Sequence, residues 1–411
     1  MQQRVKIGLV AVFLMVAIPI VVAAVLVSQK SSEIYTTNNL LVEDDELPPI
    51  LMVNRTTEAI ALADFRNVTF QGFTQDLEFY RNEAYDCGLS GKYTFMVANP
   101  LNGDADDEAP LWVYLHGGGT GYFDELGNYT ATNNQDEDTW NHEETFDDLI
   151  KTITNRITDR KTGTIEDNTK TRRLREGYRC LVVSMCDHDT YLGVGTPYPN
   201  NPNPDAQVNG LQALLSAIDY TTNNYPTTHV FVHGTSAGSV GAYAAGMSYA
   251  AEGIALTGVV SDLILSPLKF IIADALAGQP GYPSEAGYNS TLFVQKAGPW
   301  LDPSNRLSPE DRFGSGFNLV PHLQVGGLED PYCGGNFPPL EQTLADGFEN
   351  NCAWYSEPLR VIAERPDNSL QLINLPNTGH VPTNDPGPVN DMVDDFLRTA
   401  LEKNPEYPFR R

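Results

Sequence analysis

The amino-acid sequence predicts an α/β fold with a mostly parallel central sheet and helices on both faces. From about residue 90 onward, short apolar runs alternate with stretches of helical hydrophobic spacing. This order is typical of parallel strands joined by crossover helices. Several of the runs are apolar throughout, as strands covered on both faces are. The strongest run leads directly into a glycine-rich turn and then into a helical stretch of small residues.

Seven strands are predicted along the chain. They are residues 93–97, 111–115, 180–185, 229–233, 258–265, 319–325 and 370–375. Apolar residues at helical spacing predict helices within 208–218 and 389–401. Two long segments, 120–148 and 267–317, break this rhythm, and loops of such length inside a compact domain are usually functional and often lids. We therefore predict a lid insertion, with a plain surface excursion as the alternative for the first segment.

The N-terminus carries an anchoring or targeting segment. Residues 7–27 are apolar apart from one proline and are numerous enough to span a bilayer as a helix. Because Arg4 and Lys6 precede them, we expect the rest of the chain to lie outside the cytoplasm. We predict an uncleaved membrane anchor, and a cleaved signal peptide is the alternative. Residues 28–50 then form a polar, acidic linker, and residues 51–411 form one large domain.

The strong negative charge of the chain limits its partners. The net charge is −27 and the pI is about 4.4. Nucleic acids are bound by clusters of Lys and Arg, so we expect no nucleic-acid partner. An acidic protein also repels polyanionic substrates unless salt screens the charge. Contact with a membrane is expected only through the N-terminal segment.

The chain contains five cysteines. They are Cys87, Cys180, Cys186, Cys333 and Cys352. In an oxidising compartment some of them should pair, and we expect a bond between Cys333 and Cys352 first because they bracket one short segment. The odd number leaves at least one free thiol or an intermolecular bond. No metal is predicted, because no cysteine spacing fits zinc and the acidic residues 104–108 lack the regular spacing of a calcium loop.

Ser236 is the predicted nucleophile. It lies in the sequence Gly-Thr-Ser-Ala-Gly, residues 234–238, between the predicted strand 229–233 and a helical stretch of small residues. A sharp turn between strand and helix strains the serine backbone and projects its hydroxyl above the sheet, and flanking glycines avoid collisions across the turn. The N-terminal amides of the helix face developing negative charge. An inert serine in a glycine-rich turn is the alternative.

A second glycine-rich segment predicts an oxyanion hole. His116 and three glycines, residues 117–119, follow the predicted strand 111–115. Consecutive glycines allow backbone N–H groups to approach a substrate oxygen closely. We predict that the N–H groups of Gly117, Gly118 and Ala237 form the hole, and that His116 shapes the loop. A phosphate-binding loop is the alternative, but no Lys-Ser/Thr pair follows the glycines.

His380 and Asp330 are predicted to complete a catalytic triad. When the nucleophilic serine lies at such a strand-to-helix turn of an α/β fold, the catalytic carboxylate follows it in the chain and the histidine comes last. Of the histidines here, only His322 and His380 follow Ser236. His380 lies in a loop after the last predicted strand, whereas His322 lies within a strand pattern and is expected to be packed. Asp330 ends the preceding strand and turn, where a carboxylate can orient the imidazole. Asp262 is the rival acid.

Together these motifs resemble the α/β-hydrolase superfamily over residues 90–405. A narrower resemblance is to the pectinacetylesterase and notum-type carboxylesterases. Those proteins have a Cys-x-x-Asp-x-x-x-Gly element before the nucleophile, which Cys186, Asp189 and Gly193 match here. The resemblance implies an α/β-hydrolase fold, a Ser-Asp-His triad, removal of a short acyl group from a hydroxyl, and no cofactor.

The sequence thus predicts an exported serine hydrolase of carboxylic esters that acts through an acyl-enzyme. The expected substrate is a small-molecule or carbohydrate ester. One alternative is a serine peptidase of the same fold, although the sequence has no propeller-like repeats to gate a peptide site. Another is a non-catalytic surface binding module on a hydrolase scaffold, although such scaffolds usually lose the serine or the histidine.

Overall fold

A computed structural model describes most of the chain after residue 46. The described residues are 47–70, 73–88, 90–131, 142–154, 169–263, 295–296, 298–302, 305–314, 320–330, 347, 349–366, 368–380, 382 and 388–403. The chain divides into two units, residues 1–47 and 48–411, and the second is described below. The predicted anchor, residues 7–27, and most of the linker lie outside the described residues. Within the described part of the chain, no helix combines the length and the apolar character needed to cross a membrane.

The described strands form one large sheet and two small ones. They are β1 (Ile60–Phe70), β2 (Phe73–Asp86), β3 (Lys92–Ala98), β4 (Ala109–Leu115), β5 (Gly121–Phe123), β6 (Tyr129–Ala131), β7 (Arg179–Val183), β8 (Thr196–Pro197), β9 (Gln207–Val208), β10 (Thr227–Thr235), β11 (Gly258–Asp262), β12 (His322–Gly327) and β13 (Leu370–Leu375). The large sheet has nine strands in the order β1-β2-β3-β7-β4-β10-β11-β12-β13. From β7 to β13 every neighbouring pair is parallel, whereas β1, β2 and β3 are antiparallel to their neighbours.

Helices cover both faces of this sheet. The described helices are α1 (Phe146–Thr154), α2 (Thr169–Arg175), α3 (Gly210–Asn224), α4 (Ala237–Ala251), α5 (Pro309–Gly314), α6 (Asn351–Ala363) and α7 (Pro388–Lys403). Apolar residues of α3, α4 and α6 belong to one buried cluster, and those of α1, α2 and α7 belong to another. Side chains of a strand alternate between the faces. In β4, Leu111 and Val113 accordingly join the first cluster, while Trp112 and Tyr114 join the second.

The mostly parallel sheet with helices on both faces confirms the predicted fold class. All seven predicted strands are present, although β7 ends at Val183 and β11 ends at Asp262, earlier than expected. The hairpin of β1 and β2 was not predicted. It lies at the edge of the sheet, where side chains such as Leu62 and Phe65 are more than half exposed. Because β1 buries no complete face, its sequence lacks the regular alternation of apolar and polar residues that would have predicted a strand.

The two predicted insertions are described in part. Within residues 120–148 the chain forms the antiparallel hairpin of β5 and β6 and then begins α1, so this segment carries secondary structure of its own. Within residues 267–317 the described parts include a short 3-10 helix, Gly298–Trp300, and α5. Residues 264–294 lie outside the described residues, and the predicted lid therefore stays a prediction.

A chain of hydrogen bonds supports the turn at the end of β10. The Ser239 hydroxyl donates to the Gly234 carbonyl at 2.8 Å, and the Ser261 hydroxyl donates to the Ser239 carbonyl at 3.2 Å. His322 Nε2 lies 3.0 Å from Ser261 Oγ. Because Ser261 already donates its proton, the Nε2–H of His322 is the donor. Burial lowers the pKa of His322 to about 3, so this imidazole stays neutral at physiological pH.

This buried histidine predicts a loss of stability in acid. Between pH 6.5 and about 3, unfolded His322 binds a proton that the folded state does not, so the free energy of unfolding falls as the pH falls. We expect His322→Gln to reduce the slope of the unfolding free energy against pH by the equivalent of up to about one proton. Urea unfolding at several pH values between 7 and 4 measures this slope. The partly exposed His142 supplies the control His142→Gln, and equal slopes for the wild type and His322→Gln would contradict the prediction.

Candidate active site

Ser236 lies at the junction of β10 and α4. Its backbone angles are φ 51° and ψ −121°, a conformation that costs a non-glycine residue of the order of 1–3 kcal/mol. The flanking glycines make the turn possible. A side chain at Gly234 would place its Cβ 2.0 Å from the Gly238 carbonyl oxygen, and one at Gly238 would place its Cβ 2.2 Å from the Leu115 carbonyl oxygen. Helix α4 begins at Ala237, so the positive end of its dipole lies beside the serine.

The structure brings the hydroxyl of Ser236, the imidazole of His380 and the carboxylate of Asp330 together. His380 Nε2 lies 2.8 Å from Ser236 Oγ, and His380 Nδ1 lies 2.9 Å from Asp330 Oδ2. The side chain of Asp330 is 3% exposed and that of His380 is 25% exposed. An ionised carboxylate only accepts hydrogen bonds, so Nδ1 carries the proton of the neutral imidazole, and the unprotonated Nε2 can accept the serine proton.

The loops that carry the imidazole and the carboxylate are joined by their backbones. The Glu329 N–H, in the loop after β12, donates to the Thr378 carbonyl, in the loop after β13, at 2.9 Å. Gly327 is required at the end of β12, because a Cβ there would lie 2.1 Å from the Gly379 carbonyl oxygen. The two loops are therefore joined through their backbones, which places Asp330 and His380 next to each other.

The two alternative residues occupy other positions. His322 lies within β12 and is 1% exposed, and its ring contacts Ser261, as expected of a packed histidine. Asp262 is the last residue of β11, and its backbone carbonyl accepts the N–H of Ser236 at 3.4 Å. The carboxylate in contact with His380 is that of Asp330.

The glycine-rich loop after β4 lies directly against Ser236. A side chain at Gly117 would place its Cβ 2.6 Å from Ser236 Cβ and 3.3 Å from Ser236 Oγ. A side chain at Gly118 would place its Cβ 3.1 Å from the Met185 methyl carbon. Ala237, whose N–H begins α4, is the next residue after the serine. The predicted oxyanion-hole residues thus come from two segments that meet at the candidate nucleophile.

His116 connects this loop to its surroundings. Its Nδ1 lies 2.8 Å from the Gly117 carbonyl oxygen, and its Nε2 lies 3.2 Å from Glu144 Oε2. The other carboxylate oxygen of Glu144 accepts the Met185 N–H at 2.7 Å. These contacts tie the glycine-rich loop to the loop after β7, which is the shaping role expected of His116.

The Cys-x-x-Asp-x-x-x-Gly element forms the loop after β7. A disulfide links Cys186 to Cys87, with their Cα atoms 5.7 Å apart. The buried carboxylate of Asp189 accepts the Gly193 N–H at 2.7 Å. A side chain at Gly193 would place its Cβ 2.5 Å from the Val208 carbonyl carbon. All three residues of the element therefore stabilise the loop.

The described disulfide joins cysteines other than the pair expected first, and the bond between Cys333 and Cys352 stays a prediction. The Cys87–Cys186 bond was not predicted, because its cysteines are 99 residues apart in sequence. Cys333, the first partner expected for Cys352, lies outside the described residues. Among the described residues, Cys180 is a free and buried thiol.

Three ionisable side chains beside the site are buried: Asp187, Asp189 and Lys296. Asp187 and Lys296 were not predicted, and Asp189 was identified only as part of the Cys-x-x-Asp-x-x-x-Gly element. Burial raises the pKa of Asp187 to about 6, and the charge of Asp189 acts in the same direction. Burial lowers the pKa of Lys296 to about 8, against the opposing effect of both carboxylates. The available signal was the pair of aspartates that follows the apolar strand 180–185. Within the described ranges, no group of His, Cys, Asp and Glu is arranged to hold a metal ion.

Comparisons with known proteins give matches among solved structures. No protein-family model and no curated protein sequence matches the chain. An S-formylglutathione hydrolase from Agrobacterium tumefaciens is 11% identical, with 83% of this chain and 98% of that one covered and a TM-score of 0.42. Est1E from Butyrivibrio proteoclasticus is 14% identical, with 84% of this chain and 100% of that one covered and a TM-score of 0.37. A puromycin-hydrolyzing peptidase from Mycobacterium tuberculosis is 14% identical, with 78% of this chain and 38% of that one covered and a TM-score of 0.43. The strand order, the two helical layers and the serine turn between β10 and α4 give the chain an α/β-hydrolase fold.

Proposed function

We propose that this protein is a serine hydrolase that cleaves carboxylic esters through an acyl-enzyme. One observation carries the proposal: the hydrogen-bonded series from Ser236 Oγ through His380 to Asp330, with distances of 2.8 and 2.9 Å. A serine hydroxyl is a weak nucleophile unless a base removes its proton as the new bond forms. His380 is in position to be that base, and Asp330 would stabilise the imidazolium that results.

The proposed reaction has two steps. In the first, Ser236 Oγ attacks the ester carbonyl while its proton passes to His380 Nε2, and the same proton then goes to the leaving alcohol as the acyl-enzyme forms. In the second, His380 removes a proton from water, the hydroxide attacks the acyl carbonyl, and the carboxylic acid and free serine are released.

The negative oxygen formed in each step would be held by backbone N–H groups. The backbone at Gly117 passes so close to the serine that a Cβ there would lie 2.6 Å from Ser236 Cβ. Ala237 begins helix α4, whose dipole favours negative charge at this end. Donors fixed before the reaction stabilise the transition state without having to reorient. We assign this role to the N–H groups of Gly117, Gly118 and Ala237.

We further propose that the substrate is a small-molecule or carbohydrate ester with a short acyl group such as acetyl. The resemblance to pectinacetylesterase and notum-type carboxylesterases supports removal of a short acyl group from a hydroxyl. The net charge of −27 favours an uncharged ester over a polyanion. A site of action outside the cytoplasm, with the chain anchored by its N-terminus or secreted, is supported by the Cys87–Cys186 disulfide.

Replacing Ser236 by Ala tests the proposal directly. We expect turnover of p-nitrophenyl acetate to fall by at least about 10⁴-fold, because the covalent step is lost, while the circular dichroism spectrum is unchanged. Across p-nitrophenyl esters of increasing chain length, the wild type should hydrolyse the acetate best. A fluorophosphonate probe should label the wild type only. Ser248, buried further along α4, supplies the control Ser248→Ala, and a Ser236→Ala variant as active as this control would refute the proposal.

Two aspartate variants separate Asp330 from its rival. We expect Asp330→Asn to lower kcat by about 10⁴-fold, because an amide no longer holds the imidazole with its proton on Nδ1. Asp262→Asn is the matched control, since Asp262 is also buried and ends β11 next to the backbone of Ser236, and it should lower kcat far less. Steady-state kinetics of both folded variants decide between them. The reverse ranking would assign the acid role to Asp262.

Two glycine variants test the placement of the oxyanion hole. In Gly117→Ala the new methyl group meets the Cβ of Ser236 at 2.6 Å, so the loop must move away from the nucleophile. We expect kcat to fall by about 10²-fold with little change in KM. In Gly118→Ala the methyl group meets the flexible end of Met185 at 3.1 Å, so the loss should be smaller. Equal kcat values for Gly117→Ala and the wild type would exclude this placement.

A further inference from the structure

Lys296 is a completely buried lysine beside the candidate active site, with 0% of its surface exposed. Its ammonium group donates hydrogen bonds to the Gly121 carbonyl at 2.7 Å and to the Asp187 backbone carbonyl. It also lies 4.6 Å from the centre of the Tyr198 ring. A buried charge is expensive unless hydrogen bonds and opposite charges compensate it. Because burying this ammonium between two backbone carbonyls is costly, its role is indicated by what its two hydrogen bonds hold in place.

The first carbonyl belongs to the glycine-rich loop. Gly121 begins β5 and follows Gly117 by four residues. Its N–H donates to the His188 carbonyl at 3.1 Å, and its own carbonyl accepts from Lys296. The loop is thus fixed by β4 at one end and by Gly121 at the other. The positions of the N–H groups between these ends depend on both attachments.

The second carbonyl belongs to a loop that is itself held firmly. The Asp187 carboxylate accepts the Asn209 N–H at 3.0 Å, and the Asp189 carboxylate accepts the Gly210 N–H at 3.1 Å. Asn209 is the N-cap of α3, a helix of 15 residues, so both carboxylates lie at the positive end of its dipole. Asp187 also accepts hydrogen bonds from the Gly88 N–H and the Tyr93 hydroxyl. The loop after β7 is therefore a rigid support to which Lys296 can fasten the glycine-rich loop.

His188 completes the contact between the two loops. A side chain at Gly118 would place its Cβ 3.6 Å from His188 Cε1, so the imidazole packs beneath this glycine. Burial holds the pKa of His188 well below its ordinary value, and the charge of Lys296 acts in the same direction. The imidazole is consequently neutral at physiological pH and adds no second positive charge beneath the loop.

We infer that Lys296 is a positioning residue for the oxyanion hole: its ammonium group fastens the Gly121 carbonyl to the Asp187 carbonyl and so fixes the Gly117 and Gly118 N–H groups opposite Ser236. The inference rests on the proposed function and deepens it. Lys296 acts through the backbone of the two loops and has no contact with the reacting atoms in this scheme.

Replacing Lys296 by Met removes the ammonium and keeps a long apolar side chain. We expect kcat for p-nitrophenyl acetate to fall about tenfold or more and KM to stay within about twofold, because the oxyanion is bound only in the transition state. Lys296→Arg keeps the positive charge and the donors and should recover part of kcat. Circular dichroism and thermal unfolding verify that each variant is folded.

Arg179→Met is the matched control. Arg179 is also 0% exposed, and it donates to the carbonyls of Pro226 and Asp107, both at 2.9 Å. It begins β7, however, and so lies at the end of that strand remote from the loop that carries Asp187. Loss of this buried cation should lower the melting temperature and leave kcat within about twofold of the wild type, since only the fold depends on it.

The pH profile provides a readout that a purely structural lysine would not change. The groups that face Lys296 are Asp187, Asp189, His188 and Tyr198. Since the pKa of Lys296 is about 8, kcat of the wild type should fall above that pH, as the ammonium loses its charge. Asp187→Asn removes an anion that raises this pKa, so the alkaline fall of kcat should move to lower pH. In Lys296→Arg the fall should disappear, because arginine stays protonated.

The outcomes separate this inference from the proposed function. A folded Lys296→Met variant with the kcat of Arg179→Met would overturn the role of Lys296 and leave the esterase proposal intact. If Lys296→Met does not fold, the pH dependence of kcat in Asp187→Asn decides. An alkaline fall of kcat at the same pH as in the wild type would overturn the inference. A wild type that hydrolyses none of the esters would overturn the proposed function and this inference with it.

Discussion

Two stretches of backbone meet at the end of β10 with no room for a side chain between them. Gly234 and Gly238 close the turn, and the carbonyl of Leu115 lies so near Gly238 that a Cβ there would be 2.2 Å from it. The same turn holds Ser236 at a positive φ, and the close approach brings the end of β4 next to the start of α4. Ser236, the glycine-rich loop and the positive end of the helix dipole therefore lie together at one tightly packed turn. The hydrogen bonds from Ser239, Ser261 and His322 hold that turn from below.

The parallel part of the sheet brings the other residues of the candidate site to this turn. Parallel strands end at the same edge, so the loops that follow β4, β7, β10, β12 and β13 meet there although they are far apart in sequence. The apolar clusters on the two faces fix the strands, and the strands fix the loops. Asp330 and His380 are separated by 50 residues in sequence, yet their side chains lie 2.9 Å apart, and backbone hydrogen bonds join the two loops that carry them.

Sequence reasoning succeeded where the physical signal is local. Strands buried on both faces appear as apolar runs, and the serine turn is recognisable from its two glycines. Chain order pointed to His380 and the position after a strand pointed to Asp330; the structure brings both side chains together with Ser236, and their catalytic roles stay predictions. The signal was absent for contacts between distant segments. Lys296 lies within the long segment 267–317 that interrupts the alternation of strands and helices, so nothing in the sequence connects it to Asp187. The Cys87–Cys186 bond joins positions 99 residues apart, and the exposed edge strand β1 lacks the alternation that a half-buried strand would show.

The buried thiol of Cys180 gives the fold a natural reporter. It lies in β7 at the centre of the sheet, and burial raises its pKa to about 12, so almost no reactive thiolate is present at neutral pH. Reagents that modify thiols can reach this sulfur only when the apolar cluster between the sheet and α1, α2 and α7 opens. Their rate of reaction at Cys180 therefore measures how often this face of the domain opens, independently of any chemistry at the sheet edge.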